Sequence, residues 1–121
     1  MQKTVLLIED EPNIIEAMTY LLRKDGWLVS SHSDGDGAVD LVLREKPDLV
    51  ILDVMLPGTS GLEILKALRA NPLTIRLPIM MLTAKGQARD REAAQAHGAS
   101  LYMTKPFSNA EMLDAVRRLA Q

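Results

Sequence analysis

The sequence has 121 residues, of which 47% are hydrophobic and 25% are charged, and its net charge is −2. These values predict a single globular domain over residues 1–121 and argue against a nucleic-acid-binding protein, which usually has a basic surface. The lack of cysteine excludes disulfides and thiolate metal sites, and the first apolar run, residues 5–8, is too short for a signal peptide or a membrane span. We therefore expect a cytoplasmic protein without membrane contact.

Five short runs of β-favouring residues predict the strands of one sheet. Four of them are continuously apolar, which is typical of strands that are buried on both faces of a parallel sheet, and one is half polar. In chain order the runs cover residues 5–8, 27–31 (the half-polar run), 49–52, 79–82 and 101–103.

Helix-period segments lie between these strands. The first begins at Pro12, a residue suited to the first helical position, and Gly26 can end it. The second has its apolar face at residues 38–42 and ends near Pro47. Both segments alternate with strands, as the crossover connections of a parallel sheet require.

The last three helices differ in the strength of their signals. The third begins with Ser60 and the fifth with Ser108, and a glutamate three residues after each serine completes the sequence pattern of a capping box. The fourth, at about residues 87–97, has only alanines on its apolar side. We expect this helix to bury little surface and to be weakly anchored.

Strands that alternate with helices five times predict an open, doubly wound α/β sheet, and such sheets bind ligands outside the carboxyl ends of their strands. Each chemically active residue at these ends has an ordinary structural explanation when it is considered alone, such as a strand end or a helix N-terminus. The residues are Glu9 and Asp10 after the first strand, Asp53 after the third, Thr83 after the fourth and Lys105 after the fifth.

Together, the three carboxylates predict a metal site. Carboxylates within a few ångströms repel one another by roughly 1 to 4 kcal/mol per pair, so a cation must neutralise them. Mg²⁺ prefers one or two carboxylates with waters and phosphate oxygens, and Asp10, Asp53 and the backbone carbonyl of Met55 could hold it, with Glu9 acting directly or through water. One oxygen of Asp53 then stays free to attack phosphorus and form an aspartyl phosphate.

Phosphoryl transfer needs positioning and charge stabilisation, which Mg²⁺ and the Lys105 ammonium would supply. The Thr83 hydroxyl would respond to the negative charge that the phosphoryl group adds at Asp53. A packed strand delivers Asp53 to the edge of the sheet, and Pro57 with Gly58 turns the chain away so that the carboxylate stays open.

The sequence resembles the CheY-like receiver domain of two-component response regulators along essentially the whole chain, in VLLIEDEP, PDLVILDVMLPGTSG, PIMMLTA and YMTKPF. The resemblance implies a flavodoxin-like fold, a five-stranded parallel sheet in the order 2-1-3-4-5 with helices on both faces. It also assigns roles to individual residues: Asp53 as the phosphoacceptor, Glu9 and Asp10 as the acidic metal pair, Met55 as the carbonyl ligand, Thr83 as the switch hydroxyl, Tyr102 as the switch aromatic, and Lys105 as the cationic partner in a cis bond to Pro106.

The resemblance also implies a mechanism and partners. A histidine kinase, a phosphotransfer protein or a small phosphodonor would phosphorylate Asp53 with Mg²⁺, and the new charge would recruit Thr83 and Lys105. Tyr102 would follow inward and remodel the face of the fourth helix, fifth strand and fifth helix, which controls an output partner. A full shift between two such states needs about 5.5 kcal/mol of differential stabilisation. The protein would catalyse only its own phosphorylation and dephosphorylation.

Several positions depart from the most common family pattern. Glu9 replaces the more frequent first aspartate, and Met55 and Lys85 occupy positions that tune phosphoaspartate hydrolysis in the family. Ser100 and Leu101 stand where many dimerising transcription factors of the family carry an acidic pair. We therefore expect a monomer or a weak homodimer, with no direct nucleic-acid contact from this chain.

Two other functions remain open at the level of sequence. The first is a small Mg²⁺-dependent phosphohydrolase with Asp53 as its nucleophile, although Met55 stands where one aspartate-based phosphatase family has its general acid. The second is an interaction module that works without phosphorylation, which the presence of all five strand-end residues disfavours.

Overall fold

The computed structural model describes residues 2–84 and 88–120 and confirms the predicted alternation of strands and helices. No helix in these residues combines the length and the apolarity that a membrane span requires. The strands are β1 (Thr4–Ile8), β2 (Leu28–His32), β3 (Leu49–Asp53), β4 (Ile79–Ala84) and β5 (Leu101–Lys105). The helices are α1 (Pro12–Lys24), α2 (Ala38–Glu45), α3 (Gly61–Arg69), α4 (Ala88–Ala96) and α5 (Asn109–Leu119).

All five strands are parallel and lie in the order β2-β1-β3-β4-β5, as predicted. The chain moves outward from β1 in one direction to β2 and then in the other direction from β3 to β5. The order therefore reverses between β1 and β3, and Ile8 lies beside Leu52 at the carboxyl end of this pair. A doubly wound sheet opens its ligand crevice at such a reversal.

The sheet separates two hydrophobic cores, because successive residues of a strand point to opposite faces. One core lies under α1 and α5 and the other under α2, α3 and α4. The three central strands are buried on both faces, as their uninterrupted apolar runs predict. Helix residues in the first core are Met18, Leu22, Met112, Ala115 and Val116, and those in the second are Ala38, Val42, Ile64, Leu65, Leu68 and Ala94.

The edge strand β2 begins one residue later than predicted. Trp27 precedes the strand and is buried in the core under α1 and α5, whereas Leu28 is 49% exposed. Since β2 pairs only with β1 in the sheet, one of its sides has no strand neighbour and its half-polar composition is tolerated.

The two predicted capping boxes have different outcomes. At α5 the box is complete: Ser108 Oγ accepts from the Glu111 amide at 3.0 Å, and Glu111 Oε1 accepts from the Ser108 amide at 3.4 Å. At α3 only the serine half forms, with Ser60 Oγ 3.3 Å from the Glu63 amide nitrogen. The Glu63 carboxylate instead contacts Lys66 Nζ at 3.2 Å, so the prediction of a reciprocal box at α3 is wrong.

Helix α4 has little apolar anchoring, as its alanine-rich sequence predicts. Of its nine residues only Ala94 is buried. The predicted helix covered residues 87–97; residue 87 lies outside the described part of the chain, and the structure ends the helix at Ala96. The helix therefore depends on polar contacts to keep its position.

One such contact comes from Arg69, the last residue of α3. Its guanidinium donates to the carbonyl oxygens of Gly98 at 2.8 Å, Thr74 at 3.0 Å and Ile75 at 3.1 Å, and to Ser100 Oγ at 3.2 Å. Thr74 and Ile75 lie between α3 and β4, and Gly98 and Ser100 lie between α4 and β5, so one side chain joins the end of α3 to both connections.

We expect Arg69→Met to lower the free energy of unfolding by about 2 kcal/mol, because four hydrogen bonds from one charged donor are lost together. Urea denaturation measures this change. The matched control is Arg76→Met, since the Arg76 side chain is exposed, and we expect it to change stability by less than about 0.5 kcal/mol. Equal effects of the two substitutions would contradict the account of Arg69.

Candidate functional site

The carboxyl edge of the sheet brings the three predicted carboxylates together. Glu9 and Asp10 follow β1, Asp53 ends the neighbouring β3, and one oxygen from each lies within 4.8 Å of the others. Glu9 is fully buried and Asp53 is 2% exposed, whereas Asp10 is exposed. The cluster therefore has a closed inner side and an open outer side.

Lys105 lies against this cluster at the end of β5. Its Nζ atom is 2.8 Å from Glu9 Oε1, 2.9 Å from Asp53 Oδ2 and 3.1 Å from Glu11 Oε1. Burial alone would lower the pKa of Lys105, but the contacts with Glu9 and Asp53 raise it above its usual range. The ammonium is therefore charged at neutral pH. Glu11 is a partner that the sequence did not predict, because a glutamate before a helix is also an ordinary helix-start residue.

The Glu9 carboxylate lies on the buried side of the cluster. Its Oε2 accepts from the amides of Asp10 at 2.9 Å and Glu11 at 3.1 Å. Burial raises the pKa of Glu9 to about 7, although Lys105 and the Glu11 amide oppose the rise. The repulsion from Asp53 acts in the same direction as burial.

This raised pKa predicts a pH dependence of stability in metal-free protein. An acid whose pKa is higher in the folded state stabilises the fold at low pH, and this contribution is lost as the pH rises from about 4.5 to about 7. The stability of the wild type relative to Glu9→Gln should therefore fall across this window, by up to about 1.4 kcal/mol per pH unit. Urea denaturation in the presence of a chelator measures the difference, and a flat or rising difference would contradict the assignment.

Asp53 lies at the base of an open cleft of about 520 Å³. Its Oδ1 accepts from the Met55 amide at 3.2 Å, and its Oδ2 faces Lys105. Met55 follows in the β3–α3 loop with a side chain that is 66% exposed. Asp10, Pro57 and Lys105 also line the cleft. A buried strand thus brings Asp53 to the cleft, but its side chain is only 4% exposed, so the carboxylate is less open than predicted.

Thr83 and Tyr102 lie on the neighbouring strands β4 and β5, and Tyr102 pairs with Met81, two residues before Thr83. Asp53 lies beside Leu82, so Thr83 is one residue further along β4. Thr83 is fully buried, and its hydroxyl has no hydrogen-bond partner within residues 2–84 and 88–120. The half-buried Tyr102 accepts a hydrogen bond through its hydroxyl oxygen from Arg91 Nη2 at 3.1 Å, and its ring centre is 4.5 Å from Arg91 Cζ.

Two further sequence expectations concern the loops around the site. The bond between Lys105 and Pro106 is cis, as predicted. Lys85, the second position expected to tune phosphoaspartate hydrolysis, lies outside the described residues. The Arg91 contact with Tyr102 was not predicted, because an arginine on an exposed helix carries no sequence signal of what it contacts.

The donor set fits a hard divalent cation. The three clustered side chains offer carboxylate oxygens only. Mg²⁺ prefers oxygen ligands and a small number of carboxylates, whereas Zn²⁺ sites usually include nitrogen or sulfur. A metal would also offset the repulsion between the Glu9 and Asp53 carboxylates.

Comparison with known proteins gives a consistent result. The model of the response regulator receiver domain family matches residues 5–117. The probable transcriptional regulatory protein TcrX of Mycobacterium tuberculosis is 44% identical over 117 residues, which cover 96% of this chain and 49% of that protein. The chain thus spans about half the length of this curated relative.

Two solved structures are also similar. The receiver domain of a sensor histidine kinase of Pseudomonas aeruginosa, solved with a magnesium ion coordinated in its active-site cleft, is 32% identical with a TM-score of 0.90, and the match covers 99% of this chain and 98% of that one. The BeF3-activated N-terminal receiver domain of RstA from Klebsiella pneumoniae is 32% identical with a TM-score of 0.89, over 98% and 100% of the two chains.

Proposed function

The chain belongs to the response regulator receiver domain family, and from this premise we propose that residues 1–121 form one phosphoacceptor switch of a two-component system. A histidine kinase, a phosphotransfer protein or a small phosphodonor would phosphorylate Asp53. The observation that carries the proposal is the contact of the Lys105 ammonium with both Glu9 and Asp53 beside Asp10. A purely structural ion pair would need one carboxylate, whereas the Lys105 ammonium contacts three, those of Glu9, Glu11 and Asp53.

We propose Mg²⁺ as the cofactor, held by Glu9, Asp10, Asp53 and the backbone carbonyl of Met55. When bound, it supplies positive charge that balances the carboxylates and the incoming phosphoryl group. The magnesium ion in the similar Pseudomonas aeruginosa receiver domain supports this assignment.

In the phosphorylation step, one carboxylate oxygen of Asp53 attacks the phosphorus of the donor. The new bond joins the Asp53 oxygen to phosphorus, and the bond between phosphorus and the donor breaks with its electrons going to the leaving group. Lys105, already 2.9 Å from Asp53 Oδ2, stabilises the negative charge on the phosphoryl oxygens. Apart from this reaction and the later transfer of the phosphoryl group to water, which returns the Asp53 carboxylate and releases inorganic phosphate, the domain works as a signalling module rather than as an enzyme.

Thr83 and Tyr102 would transmit the change. The buried Thr83 hydroxyl can donate a hydrogen bond to a phosphoryl oxygen at the same edge of the sheet, and Tyr102 would then turn inward. That movement breaks the contact of Tyr102 with Arg91, which helps to hold the weakly anchored α4. The face formed by α4, β5 and α5 would change and control an output partner, with the domain a monomer or a weak homodimer.

We expect Arg91→Met to favour the inward position of Tyr102 before phosphorylation. The substitution removes a hydrogen bond and a cation–π contact that together contribute about 1 to 2 kcal/mol to the outward position. NMR signals of the Tyr102 ring should shift toward their phosphorylated positions, and α4 amides should exchange faster. Arg89→Met on the same helix is the control, and an equal response of the two variants would contradict this role of Arg91.

The proposed function is tested by incubating the protein with acetyl phosphate, with and without Mg²⁺, and recording the intact mass. We expect a mass increase of one phosphoryl group that requires Mg²⁺. No increase, or an increase that does not depend on Mg²⁺, would contradict the proposal. Continuous multi-turnover release of phosphate from a metabolite would instead identify a phosphohydrolase.

A further inference from the structure

The loop between β3 and α3, residues 54–60, carries the Met55 carbonyl that we propose as a metal ligand. The two ends of this loop are fixed close to the sheet: the Val54 amide donates to the Leu82 carbonyl at 3.0 Å, and the Gly61 amide donates to the Val54 carbonyl at 3.0 Å. The middle of the loop contacts another loop, residues 33–37 between β2 and α2. The conformation of the loop that contains Met55 is therefore held partly by the sheet and partly by this second loop.

The two loops pack closely, with the main chain of Gly35 against that of Thr59 and the main chain of Gly58 against the Asp36 side chain. A Cβ atom on Gly35 would lie 1.7 Å from the Thr59 carbonyl oxygen, and one on Gly58 would lie 2.6 Å from Asp36 Cγ. The Gly35 amide also donates to the Pro57 carbonyl at 2.9 Å. Contact this close allows a shift of one loop to move the other.

Asp36 makes the side-chain connection between the loops. Its Oδ1 accepts from the Thr59 amide at 3.0 Å and from the Thr59 hydroxyl at 2.9 Å. Asp36 is itself held in place, since its amide donates to Asp34 Oδ1 at 2.8 Å and its carbonyl oxygen lies 2.9 Å from His32 Nε2. The carboxylate therefore fixes the far end of the β3–α3 loop from a constrained position.

We propose that Asp36 is a positioning residue for the phosphoacceptor site. Through its two charge-assisted hydrogen bonds to Thr59 it holds the β3–α3 loop in the conformation that directs the Met55 carbonyl toward the metal position beside Asp53. Asp36 touches none of the proposed metal ligands, so it acts through the loop. The inference rests on the proposed function, because a loop position has a chemical consequence only if Met55 is a ligand.

Calorimetric titration with Mg²⁺ tests this role in three variants. Asp36→Ala removes both hydrogen bonds, and we expect it to weaken Mg²⁺ binding about tenfold. Asp36→Asn keeps an acceptor oxygen and should bind Mg²⁺ within about twofold of the wild type. Asp40→Ala, at an exposed acidic residue of α2 that is comparable to the exposed Asp36, is the control and should also stay within about twofold.

Wild-type affinity in Asp36→Ala would overturn the inference, and so would equal losses in Asp36→Ala and Asp36→Asn, because the effect would then come from charge rather than from position. If Asp36→Ala does not fold, Thr59→Val replaces it, with an expected loss of about threefold and the same interpretation of an unchanged affinity. If the wild type binds Mg²⁺ and is phosphorylated, and the variants bind Mg²⁺ equally well, only this inference is refuted. Wild-type protein that does neither refutes the proposed function as well.

Discussion

Asp53→Asn is expected to lower phosphorylation by acetyl phosphate at least about a thousandfold, to background. The amide oxygen of asparagine is a far weaker nucleophile than a carboxylate oxygen, and the substitution also removes one of the charges that would bind Mg²⁺. The fold should survive, since asparagine has nearly the same shape and its single side-chain oxygen can still accept from either the Met55 amide or Lys105, although not from both as the two carboxylate oxygens do. Intact mass after incubation with Mg²⁺ and acetyl phosphate gives the result.

The control for this variant is Asp40→Asn, a substitution of an exposed carboxylate on α2 that leaves the strand ends unchanged. It should be phosphorylated like the wild type. A phosphoryl group that persists on Asp53→Asn would mean that another residue is the acceptor, and the proposed function would then be wrong at its central residue.

Gly61→Ala is expected to have the largest effect on stability, about 3 kcal/mol or more. A Cβ atom at this position would lie 2.0 Å from the Asp53 carbonyl oxygen and 2.9 Å from Val54 Cα, so α3 and the end of β3 cannot both keep their places. Because the obstructing atoms belong to the backbone that carries the phosphoacceptor, Mg²⁺ binding should fall together with stability. Urea denaturation and calorimetry measure the two effects.

Gly37→Ala is the control that separates the cost of a steric clash from the cost of an unfavourable backbone conformation. Gly37 has a φ of 77°, and nothing lies within 4 Å of a Cβ atom placed there, so an alanine at this position meets only the cost of the left-handed conformation, about 1 to 2 kcal/mol. A loss in Gly61→Ala no greater than the loss in Gly37→Ala would contradict the close approach of α3 to Asp53.

The fold and the main residues of the site could be predicted from the sequence because their signals are local. Continuous apolar runs indicate parallel strands, and the carboxyl ends of parallel strands meet at one edge of the sheet. Residues that follow the strands directly, such as Glu9, Asp53 and Lys105, can therefore be placed together from the sequence pattern alone. The distances between their side chains confirm this proximity.

Contacts between distant side chains could not be predicted in the same way. Glu11 joins Lys105, Arg91 joins Tyr102, and Asp36 joins Thr59, and each pair depends on how two separate loops or elements approach one another. The incomplete capping box at α3 has a similar origin. The Glu63 carboxylate can accept a hydrogen bond either from the Ser60 amide or from Lys66, and the sequence pattern does not say which contact is stronger.

The start of β2 shows a further limit of sequence patterns. Trp27 has strong β propensity and falls within the predicted strand, but its large side chain is buried in the core under α1 and α5. The strand begins after it, at Leu28. Propensity identifies the element, and packing decides its boundary.

The central claim is that the carboxylates at the edge of the sheet form one Mg²⁺ site that includes the phosphoacceptor. Calorimetric titration of the wild type and of Asp10→Asn with Mg²⁺ tests it most directly. We predict saturable binding of one ion per chain in the wild type and at least about a tenfold weaker affinity in Asp10→Asn. No saturable binding by the wild type, or equal binding by both proteins, would contradict the claim.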